Sequence, residues 1–276
     1  MKNLSIVSMN GNIMPASDAK ISPFDRGLRL GDGLFETIRV RDGRALYLNE
    51  HLNRMQSSAV ILDFHTAEYD ELVRMVNDFL RASGLKEGSL RITLTRGDGE
   101  GMWPPKELPT LLVISGAQGV PYPPEAVSKG LTAVVVDEPR RMAGMLSRHK
   151  TTSYISSIMA RKAAVDEKGT IAILLNQFDR ICEADNANIF VVTRKDEIIT
   201  PPLDEGALPG ITRQRLLEAI PDIVQSSVTK EDLYDAQEVV FTNALMPVMP
   251  ASNIDGQRLR AREFFEEARA LLTRSE

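Results

Sequence analysis

The stretch GAQGVPYPPE, residues 116–125, divides this sequence into two parts. Glycine and proline mark turns and linkers, and on either side of this stretch strand-like and helix-like patterns alternate. We therefore predict an N-terminal domain over residues 1–118, a linker over 119–125 and a C-terminal domain over 126–276. A chain of 276 residues is long enough for two domains. The cleft between them would be the default place for a ligand.

On the N-terminal side, the sequence predicts two hairpins, a helix and two more strands. The dipeptides NG at 10–11 and DG at 42–43 each separate strand-like segments, because both supply the positive φ of a tight turn. Apolar residues at helical spacing predict a helix over residues 66–83, with Gly84 as its stop. The segments SLRITLTRG and TLLVISG are strand-like.

On the C-terminal side, strands and helices alternate. The sequence predicts a buried strand over 131–136, a helix over about 151–168, and strands at TIAILLN and NIFVVTR. A helix opens at PGITRQRLLEAI, followed by the strand EVVFTN and a final helix at AREFFEEARALLTR. The fold class expected from both halves is α/β (α+β).

Composition excludes several functional classes. The net charge of −5, without any lysine or arginine run, argues against a nucleic-acid surface. The longest apolar runs have the length of strands and are too short for a membrane span, and the N-terminus turns polar too early for a signal peptide. One cysteine, Cys182, fits a reducing cytoplasm. Three scattered histidines and this cysteine show no metal-ligand spacing, so we expect no metal.

Two residues have the side chains that an aldehyde cofactor needs. Lys150 lies in SRHKTTSY, among hydroxyl residues, and a lysine amine forms a Schiff base with an aldehyde. Glu183 lies at the end of one predicted strand and Asn188 at the start of the next. A carboxylate in that place can pair with a protonated ring nitrogen. Taken alone, a lysine is more often solvated, and an acid such as Glu183 more often bonds the amides of its hairpin.

Three further segments could hold an anion. Gly210 directly precedes a helix, whose first backbone amides can bind phosphate, although Pro-Gly before a helix is usually a turn. Arg54 in HLNRM, and Thr242 with Asn243 after a strand, supply guanidinium, hydroxyl and amide donors. Each could equally be a surface pair or a cap. Taken together with Lys150 and Glu183, they match the phosphate, aldehyde and ring nitrogen of pyridoxal 5'-phosphate.

Seven motifs in order carry a family resemblance: SPFDRGLRLGDGLFETIRV, HLNRM, LTRGDGEG, SRHKTTSY, EADNANIF, LPGITR and FTNALMPVMP. With them the chain resembles the class IV, or fold-type IV, pyridoxal-phosphate enzymes over residues 10–250. The family comprises branched-chain aminotransferases, D-amino-acid aminotransferases and 4-amino-4-deoxychorismate lyases. The resemblance implies a smaller N-terminal α/β domain, a larger C-terminal domain with a β-barrel-like core, and a cofactor in the interdomain cleft.

The same resemblance implies roles for individual residues. Lys150 would hold the cofactor and move the proton at the substrate's Cα, and Glu183 would bond the pyridine nitrogen. Tyr154 would bond the cofactor's phenolic oxygen, and Asn188 belongs to the cofactor-binding set. His149 is expected to be a packed neighbour of the lysine. The phosphate would be bound by Arg54, the amides of Ile211 and Thr212, and Thr242 or Asn243.

The resemblance also implies a substrate region and a homodimer in which the active site borrows a loop from the neighbouring subunit. The residues expected to face the substrate are Arg26, Thr37, Arg96 and Trp103.

The choice of reaction depends on four local patterns. Branched-chain enzymes typically have FEGIR where this chain has FETIR, and the Arg-x-His carboxylate trap of well-known D-amino-acid aminotransferases is absent after the TRG segment. A glycine–aromatic–proline pattern over Gly101 to Pro104, together with NALMPVMP, is most similar to the lyases, which form 4-aminobenzoate and pyruvate. The alternatives are an atypical D-amino-acid transaminase without the trap, then a branched-chain aminotransferase. A non-catalytic binding protein is disfavoured because Lys150, Glu183 and Arg54 are all present.

Overall fold

The chain divides into two compact units. In this computed structural model, which describes residues 1–103 and 108–275, the first unit comprises Met1–Pro121 with Lys150–Tyr154. The second comprises Tyr122–His149 with Ile155–Glu276. The first boundary lies inside the stretch predicted as a linker. The predicted boundaries place Lys150–Tyr154 in the C-terminal domain, whereas the structure assigns these residues to the first unit.

The first unit is a seven-stranded antiparallel sheet with three helices. Its strand order is β3-β2-β7-β6-β4-β5, and β1 pairs with β7. The strands are β1 (Lys2–Asn3), β2 (Ile6–Met9), β3 (Asn12–Pro15), β4 (Gly33–Arg41), β5 (Arg44–Ala45), β6 (Gly88–Thr95) and β7 (Leu111–Gln118). The helices are α1 (Arg26–Leu30), α2 (Leu48–Ile61) and α3 (Tyr69–Ser83).

Local turn chemistry explains several of these elements. The hairpins β2–β3 and β4–β5 turn at the predicted NG and DG dipeptides, and all four turn residues have positive φ. Helix α3 ends where predicted, with Gly84 in the left-handed conformation at φ 62°. It begins at Tyr69, three residues after the predicted start, because Glu68 is extended. Helix α2 was not predicted.

Strand β4 is central to the core of the first unit. The alternation of its side chains turns Leu34, Ile38 and Val40 inward, where they pack with Leu52 of α2 and Phe79 of α3. Glu36 lies in the same inward row, and its residue is only 1% exposed. A carboxylate inside an apolar row requires partners, which are described below.

The segment Lys150–Tyr154 pairs with the start of β4. The Phe35 amide donates to the Lys150 carbonyl, and the Thr152 amide donates to the Gly33 carbonyl, both at 2.9 Å. The Thr152 hydroxyl donates to the Gly31 carbonyl at 2.8 Å. The helix predicted over about 151–168 is therefore wrong at its start. Extended pairing with β4 uses these residues, and the helix runs only over Ile155–Asp166.

The second unit is a nine-stranded mixed sheet that curls into a half-barrel. Its strand order is β10-β9-β8-β15-β14-β11-β12-β13, with β16 pairing β15. The strands are β8 (Leu131–Val136), β9 (Ile171–Leu175), β10 (Ile181–Ala184), β11 (Asn188–Val192), β12 (Ile198–Thr200), β13 (Val224–Gln225), β14 (Glu238–Thr242), β15 (Met249–Ile254) and β16 (Gln257–Arg258). The helices are α4 (Pro124–Lys129), α5 (Ile155–Asp166), α6 (Ile211–Ala219), α7 (Lys230–Tyr234) and α8 (Glu263–Ser275).

Helices cover the second sheet through small or aromatic contacts. Helix α5 connects the parallel strands β8 and β9 and packs Ala160 and Ala164 against them. Helices α6 and α8 pack Leu216 and Phe265 against Phe190 of β11. None of the described helices is long and apolar enough to cross a membrane. The packing of α6 against β11 places the start of α6 beside the ends of β11 and β14.

Candidate active site

Lys150 lies against aromatic rings of the first unit. Its Nζ is 4.4 Å from the centroid of the Phe35 ring and 5.9 Å from that of Tyr154. The two rings meet edge to face, with centroids 5.5 Å apart and planes at 78°. An ammonium over ring faces is attracted by the ring quadrupole, so the lysine is held in an aromatic setting although it is only half-buried.

Arg91 is a second cation at the same aromatic group, and sequence reasoning missed it. Its Cζ is 3.7 Å from the centroid of the Phe35 ring. Arg91 is paired in register with Thr37, so it shares one face of the sheet with Phe35 and Thr37. Partial burial lowers the pKa of Arg91, while the nearby Tyr154 opposes the shift. The signal available in sequence was an arginine amid the strand alternation of SLRITLTRG.

Arg54 lies on α2 and forms an ion pair with Glu36 of β4. Its Nε donates to Glu36 Oε1 at 2.8 Å and its Nη2 donates to Glu36 Oε2 at 2.6 Å. His51, one turn earlier on α2, bonds Glu36 Oε2 through Nδ1 at 2.6 Å. The Arg54 guanidinium, which was predicted to bind phosphate, is therefore held by the buried carboxylate of Glu36.

Arg26 and Arg96, both predicted to face the substrate, meet at one carboxylate. Arg26 Nε and Arg96 Nε donate to Asp32 Oδ2 at 2.8 and 2.9 Å. The buried Arg26 also donates to the carbonyls of Gly101 and Met102, at 2.7 and 2.9 Å. These bonds brace the loop after β6.

Trp103, which directly follows the carbonyls bonded by Arg26 and was expected to face the substrate, lies largely in solvent. Trp103 is 81% exposed. Pro104, the end of the glycine–aromatic–proline pattern, lies outside the described residues.

Glu183, in the second unit, is buried, and both of its carboxylate oxygens are bonded. Its Oε1 pairs with Arg141 Nε at 2.7 Å, and its Oε2 accepts from the Leu208 amide at 2.8 Å. Arg213, in the first turn of α6, is a further buried cation: burial lowers the pKa of Arg213, and Glu183 opposes the shift. The sequence did not single out Arg141 or Arg213. The acid is thus fixed as the centre of a small charged group.

Asn188, Thr242 and the start of α6 come together. Asn188 and Thr242 are directly paired residues of β11 and β14. Asn188 Nδ2 donates to the Leu208 carbonyl at 2.9 Å, and a Cβ on Gly210 would lie only 1.9 Å from Asn188 Oδ1. Glycine is therefore required at Gly210 by close approach, while its φ of −69° is ordinary. We name Asn188, Gly210, Ile211, Thr212 and Thr242 the α6 pocket.

The α6 pocket has the features of an anion site. The Thr242 Oγ1 is buried and has no hydrogen-bond partner within the described part of the chain. Ile211 and Thr212 are the first two residues of α6, whose opening amides have no carbonyl partner inside the helix. An orphaned buried hydroxyl beside such amides fits a phosphate oxygen. The residues present therefore fit the phosphate of the implied cofactor.

Asn243 is occupied by its own turn. Its Oδ1 accepts from the amides of Leu245 and Met246, at 2.9 and 2.8 Å, and its Nδ2 donates to the Asn186 carbonyl at 3.0 Å. These bonds shape the turn after β14. Of the two residues predicted there, Thr242 carries the buried hydroxyl without a partner.

His149 and Cys182 are buried groups that flank predicted site residues in sequence. Burial and the neighbouring Arg148 lower the pKa of His149, which favours its neutral form. Burial raises the pKa of the Cys182 thiol, which stays protonated. Neither group has the features of a nucleophile.

The half-barrel carries a buried acid and the α6 pocket at its strand ends, an arrangement that fits a class of enzymes with a phosphorylated cofactor. Comparison with family models identifies that class: the model described as "Amino-transferase class IV" matches residues 33–254. The chain belongs to the class IV aminotransferase family, whose members are pyridoxal-phosphate-dependent transaminases or lyases.

Relatives within the family carry different activities. The chain is 31% identical to a putative branched-chain-amino-acid aminotransferase of Methanocaldococcus jannaschii, covering 96% of this chain and 93% of the relative. It is 29% identical to a D-alanine aminotransferase of Staphylococcus epidermidis, over 92% and 90% of the two chains. It is 27% identical to an aminodeoxychorismate lyase of Bacillus subtilis, over 91% and 87%.

The fold agrees with a solved member of the same family. The crystal structure of the Escherichia coli branched-chain amino acid aminotransferase matches this chain with a TM-score of 0.89 and 26% identity, over 96% of this chain and 92% of that one. The expectation of a fold-type IV architecture is confirmed.

Proposed function

We propose that this protein is a pyridoxal-phosphate enzyme that transfers the amino group of an amino acid to a 2-oxo acid. The observation that carries the proposal is the α6 pocket, where the buried Thr242 hydroxyl lacks a partner within residues 1–103 and 108–275. A phosphate there would satisfy the hydroxyl and the first amides of α6 together. Two of the relatives described above, at 31% and 29% identity, are named as aminotransferases, which supports amine transfer.

The bound cofactor would supply an electron-accepting ring that stabilises negative charge at the substrate's Cα. In this proposal Lys150 Nζ holds the cofactor covalently and carries the proton to and from Cα. Phe35 and Tyr154 confine the lysine, and Tyr154 bonds the cofactor's phenolic oxygen. Glu183 faces the ring nitrogen, and its bonds to Arg141 and Leu208 support it by fixing both carboxylate oxygens.

The phosphate is assigned to the α6 pocket and Arg54, with Asn243 shaping the adjacent turn. Arg26, Thr37, Arg96 and Trp103 remain in the proposed substrate region. For Arg26 and Arg96 the bonds to Asp32 support a role in holding the loop after β6 beside that region.

A second candidate is 4-amino-4-deoxychorismate lyase, which would release 4-aminobenzoate and pyruvate. The NALMPVMP segment carries the sequence likeness to lyases, and the turn bonds of Asn243 shape that segment. The relative from Bacillus subtilis supports the same candidate. Both reactions begin with removal of the Cα proton by the same lysine.

Lys150→Ala tests the enzyme proposal. We expect the wild-type protein with pyridoxal phosphate to be yellow and, after borohydride reduction, to carry a stable adduct on the peptide containing Lys150 by mass spectrometry. Lys150→Ala should lose the adduct and nearly all activity, while the control Lys162→Ala should keep both, since Lys162 lies on the exposed face of α5, where it pairs with Asp166. An adduct on another lysine would contradict the proposal.

A half-reaction separates the two candidates. Holoenzyme is mixed with D-alanine, D-glutamate or L-leucine without a keto acid, and the absorbance is followed. Conversion to the pyridoxamine form with any of them supports a transaminase and indicates the enantiomer. No conversion, together with formation of 4-aminobenzoate from aminodeoxychorismate, would establish the lyase instead.

The proposal includes a homodimer in the cytoplasm. Three large apolar side chains in and near α1 are 47% or more exposed, which supports self-association: Phe24, Leu28 and Leu30. The lone protonated thiol of Cys182 is compatible with a reducing compartment. Light scattering coupled to gel filtration measures the oligomeric state, and a monomer at micromolar concentration would exclude the dimer.

A further inference from the structure

Glu36 is a buried carboxylate to which neither the motifs nor the proposed chemistry gives a role. It lies on the inward row of β4 between Leu34 and Ile38 and is 1% exposed. Its three hydrogen bonds, two from Arg54 and one with His51, are all between 2.6 and 2.8 Å. The position is unfavourable for an acid unless these bonds are made.

The carboxylate is ionised. Burial raises the pKa of Glu36, but the charge of Arg54 and the bond with His51 outweigh burial and bring it to about 2. Since an ionised carboxylate only accepts hydrogen bonds, His51 Nδ1 must carry the proton that it donates. His51 and Arg54 are three residues apart on α2 and therefore lie on one face of that helix.

The geometry of the pair fixes the orientation of the arginine. Parallel bonds from Nε and Nη2 to the two oxygens of one carboxylate set both the place and the plane of a guanidinium. A planar guanidinium with five N–H donors can hold a carboxylate on one edge and another anion elsewhere. Buried ion pairs contribute little net stability compared with apolar residues, so stability alone does not explain this acid in the core.

We propose that Glu36 is a positioning residue that holds the Arg54 guanidinium in its phosphate-binding orientation, and that His51 holds Glu36. This inference rests on the proposed function, in which Arg54 contacts the cofactor's phosphate. Glu36 itself touches neither cofactor nor substrate. Its role predicts a defect that is confined to the phosphate group, whereas loss of a purely structural contact would weaken the whole site.

The test compares two aldehydes that differ only in the phosphate. Full-length cofactor-free protein is titrated with pyridoxal phosphate and with pyridoxal, and both dissociation constants are measured by absorbance. We expect Glu36→Gln to weaken binding of pyridoxal phosphate by about tenfold, since a charged hydrogen-bond partner is lost. Binding of pyridoxal should remain as in the wild type.

Two results with Glu36→Gln would overturn the inference. An equal loss of affinity for both aldehydes would show a structural role only. Tighter binding of pyridoxal phosphate would show that Glu36 merely neutralises the charge of Arg54. A matched control is Glu87→Gln, because Glu87 pairs with Arg39 Nη2 at 2.6 Å at the other end of β4. It should change neither dissociation constant.

His51 gives a second, independent readout if Glu36→Gln fails to fold. An asparagine amide can replace the Nδ1–H donor, whereas leucine cannot. We therefore expect His51→Asn to retain the preference for the phosphorylated aldehyde and His51→Leu to lose several-fold of it, with pyridoxal binding unchanged in both. Equal behaviour of the two variants would remove His51 from the proposal.

Arg54→Gln separates a failure of this inference from a failure of the proposed function. If the wild type binds both aldehydes equally, or if Arg54→Gln keeps the wild-type preference, the phosphate role of Arg54 is itself wrong. If Arg54→Gln loses the preference and Glu36→Gln keeps it, only the positioning role of Glu36 is wrong.

Discussion

Thr242 is a residue that the folded chain leaves incomplete. Its hydroxyl is buried at the end of β14, and no donor or acceptor in the described residues satisfies it. A buried polar atom without a partner costs free energy of about 1–3 kcal/mol. Thr200, on the nearby strand β12, is equally buried, but its hydroxyl donates to the Ile189 carbonyl at 2.7 Å. The two threonines form a natural comparison.

We predict opposite effects from replacing each threonine with valine. Thr242→Val should leave the free energy of unfolding of the cofactor-free protein unchanged or raise it by about 1 kcal/mol, while weakening pyridoxal phosphate binding by about tenfold. Thr200→Val should lower the free energy of unfolding by about 1 kcal/mol and leave cofactor binding unchanged. Urea denaturation and absorbance titration measure the two quantities. Unchanged cofactor binding in Thr242→Val would argue against the α6 pocket as the phosphate site.

The segment before α6 ties three elements together through one backbone residue. The Leu208 amide donates to Glu183 of β10, and the Leu208 carbonyl accepts from Asn188 of β11. Gly210 then passes so close to Asn188 that a side chain has no room. The start of α6 is therefore placed by side chains of the sheet.

Gly210→Ala should disturb this placement. A Cβ 1.9 Å from Asn188 Oδ1 forces either the asparagine or the helix start to move, so we expect a loss of about 1–3 kcal/mol in stability and weaker cofactor binding. Gly84→Ala is the comparison, because no atom lies within 4 Å of its added Cβ and only its φ of 62° opposes it. That variant should cost about 1 kcal/mol without affecting the cofactor. Wild-type cofactor affinity in Gly210→Ala would be evidence against the close contact.

Sequence reasoning succeeded for elements that local chemistry determines. The turns at NG and DG and the stop at Gly84 depend on backbone conformations that few residues adopt, so their sequence signals are strong. Helix α2 was not predicted because His51 and Ser58 lie on its buried face, which weakens the apolar periodicity. The start of α5 was placed too early because pairing of Lys150–Tyr154 with β4 is a long-range contact.

The candidate site was predictable only in part. Lys150, Glu183 and the α6 pocket follow from motifs, whereas Glu36 and Arg141 act through contacts with residues far away in sequence. One signal was available: Glu36 occupies an inward position of the LFETIRV alternation, where an acid needs a partner. The identity of that partner, Arg54, required the fold.

At the scale of the whole molecule, two buried acids should make stability depend on pH in opposite directions. The pKa of Glu36 is about 2 in the folded state, below its ordinary value of 4.5. Its contribution is therefore complete above pH 4.5 and is lost as pH falls toward 2. For Glu238, burial raises the pKa although the amides of Phe264 and Phe265 oppose the shift. Its contribution is present at low pH and is lost as pH rises through its folded pKa.

We predict that the ion pair of Glu36 dominates acid unfolding of the first unit. Between pH 5 and pH 2.5, as rough limits, the wild type should lose about 2 kcal/mol more of its free energy of unfolding than Glu36→Gln does. In Glu238→Gln, the free energy of unfolding should no longer fall with rising pH by the amount that Glu238 contributes. Urea denaturation at a series of pH values measures both slopes. Parallel curves for the wild type and Glu36→Gln would contradict the assigned ionisation.

Because Lys150–Tyr154 belongs to the first unit, an N-terminal fragment of the chain would lack part of that unit. These five residues cover the edge of β4 at Gly33–Phe35, which β5 does not reach because it pairs only with Val40 and Arg41. A fragment ending at Pro121 would leave that edge bare, with unpaired amides and carbonyls that invite strand addition and aggregation. Supplying residues 146–154 as a separate peptide should then restore solubility by complementation. The segment that carries the lysine thus also covers an edge of the first sheet.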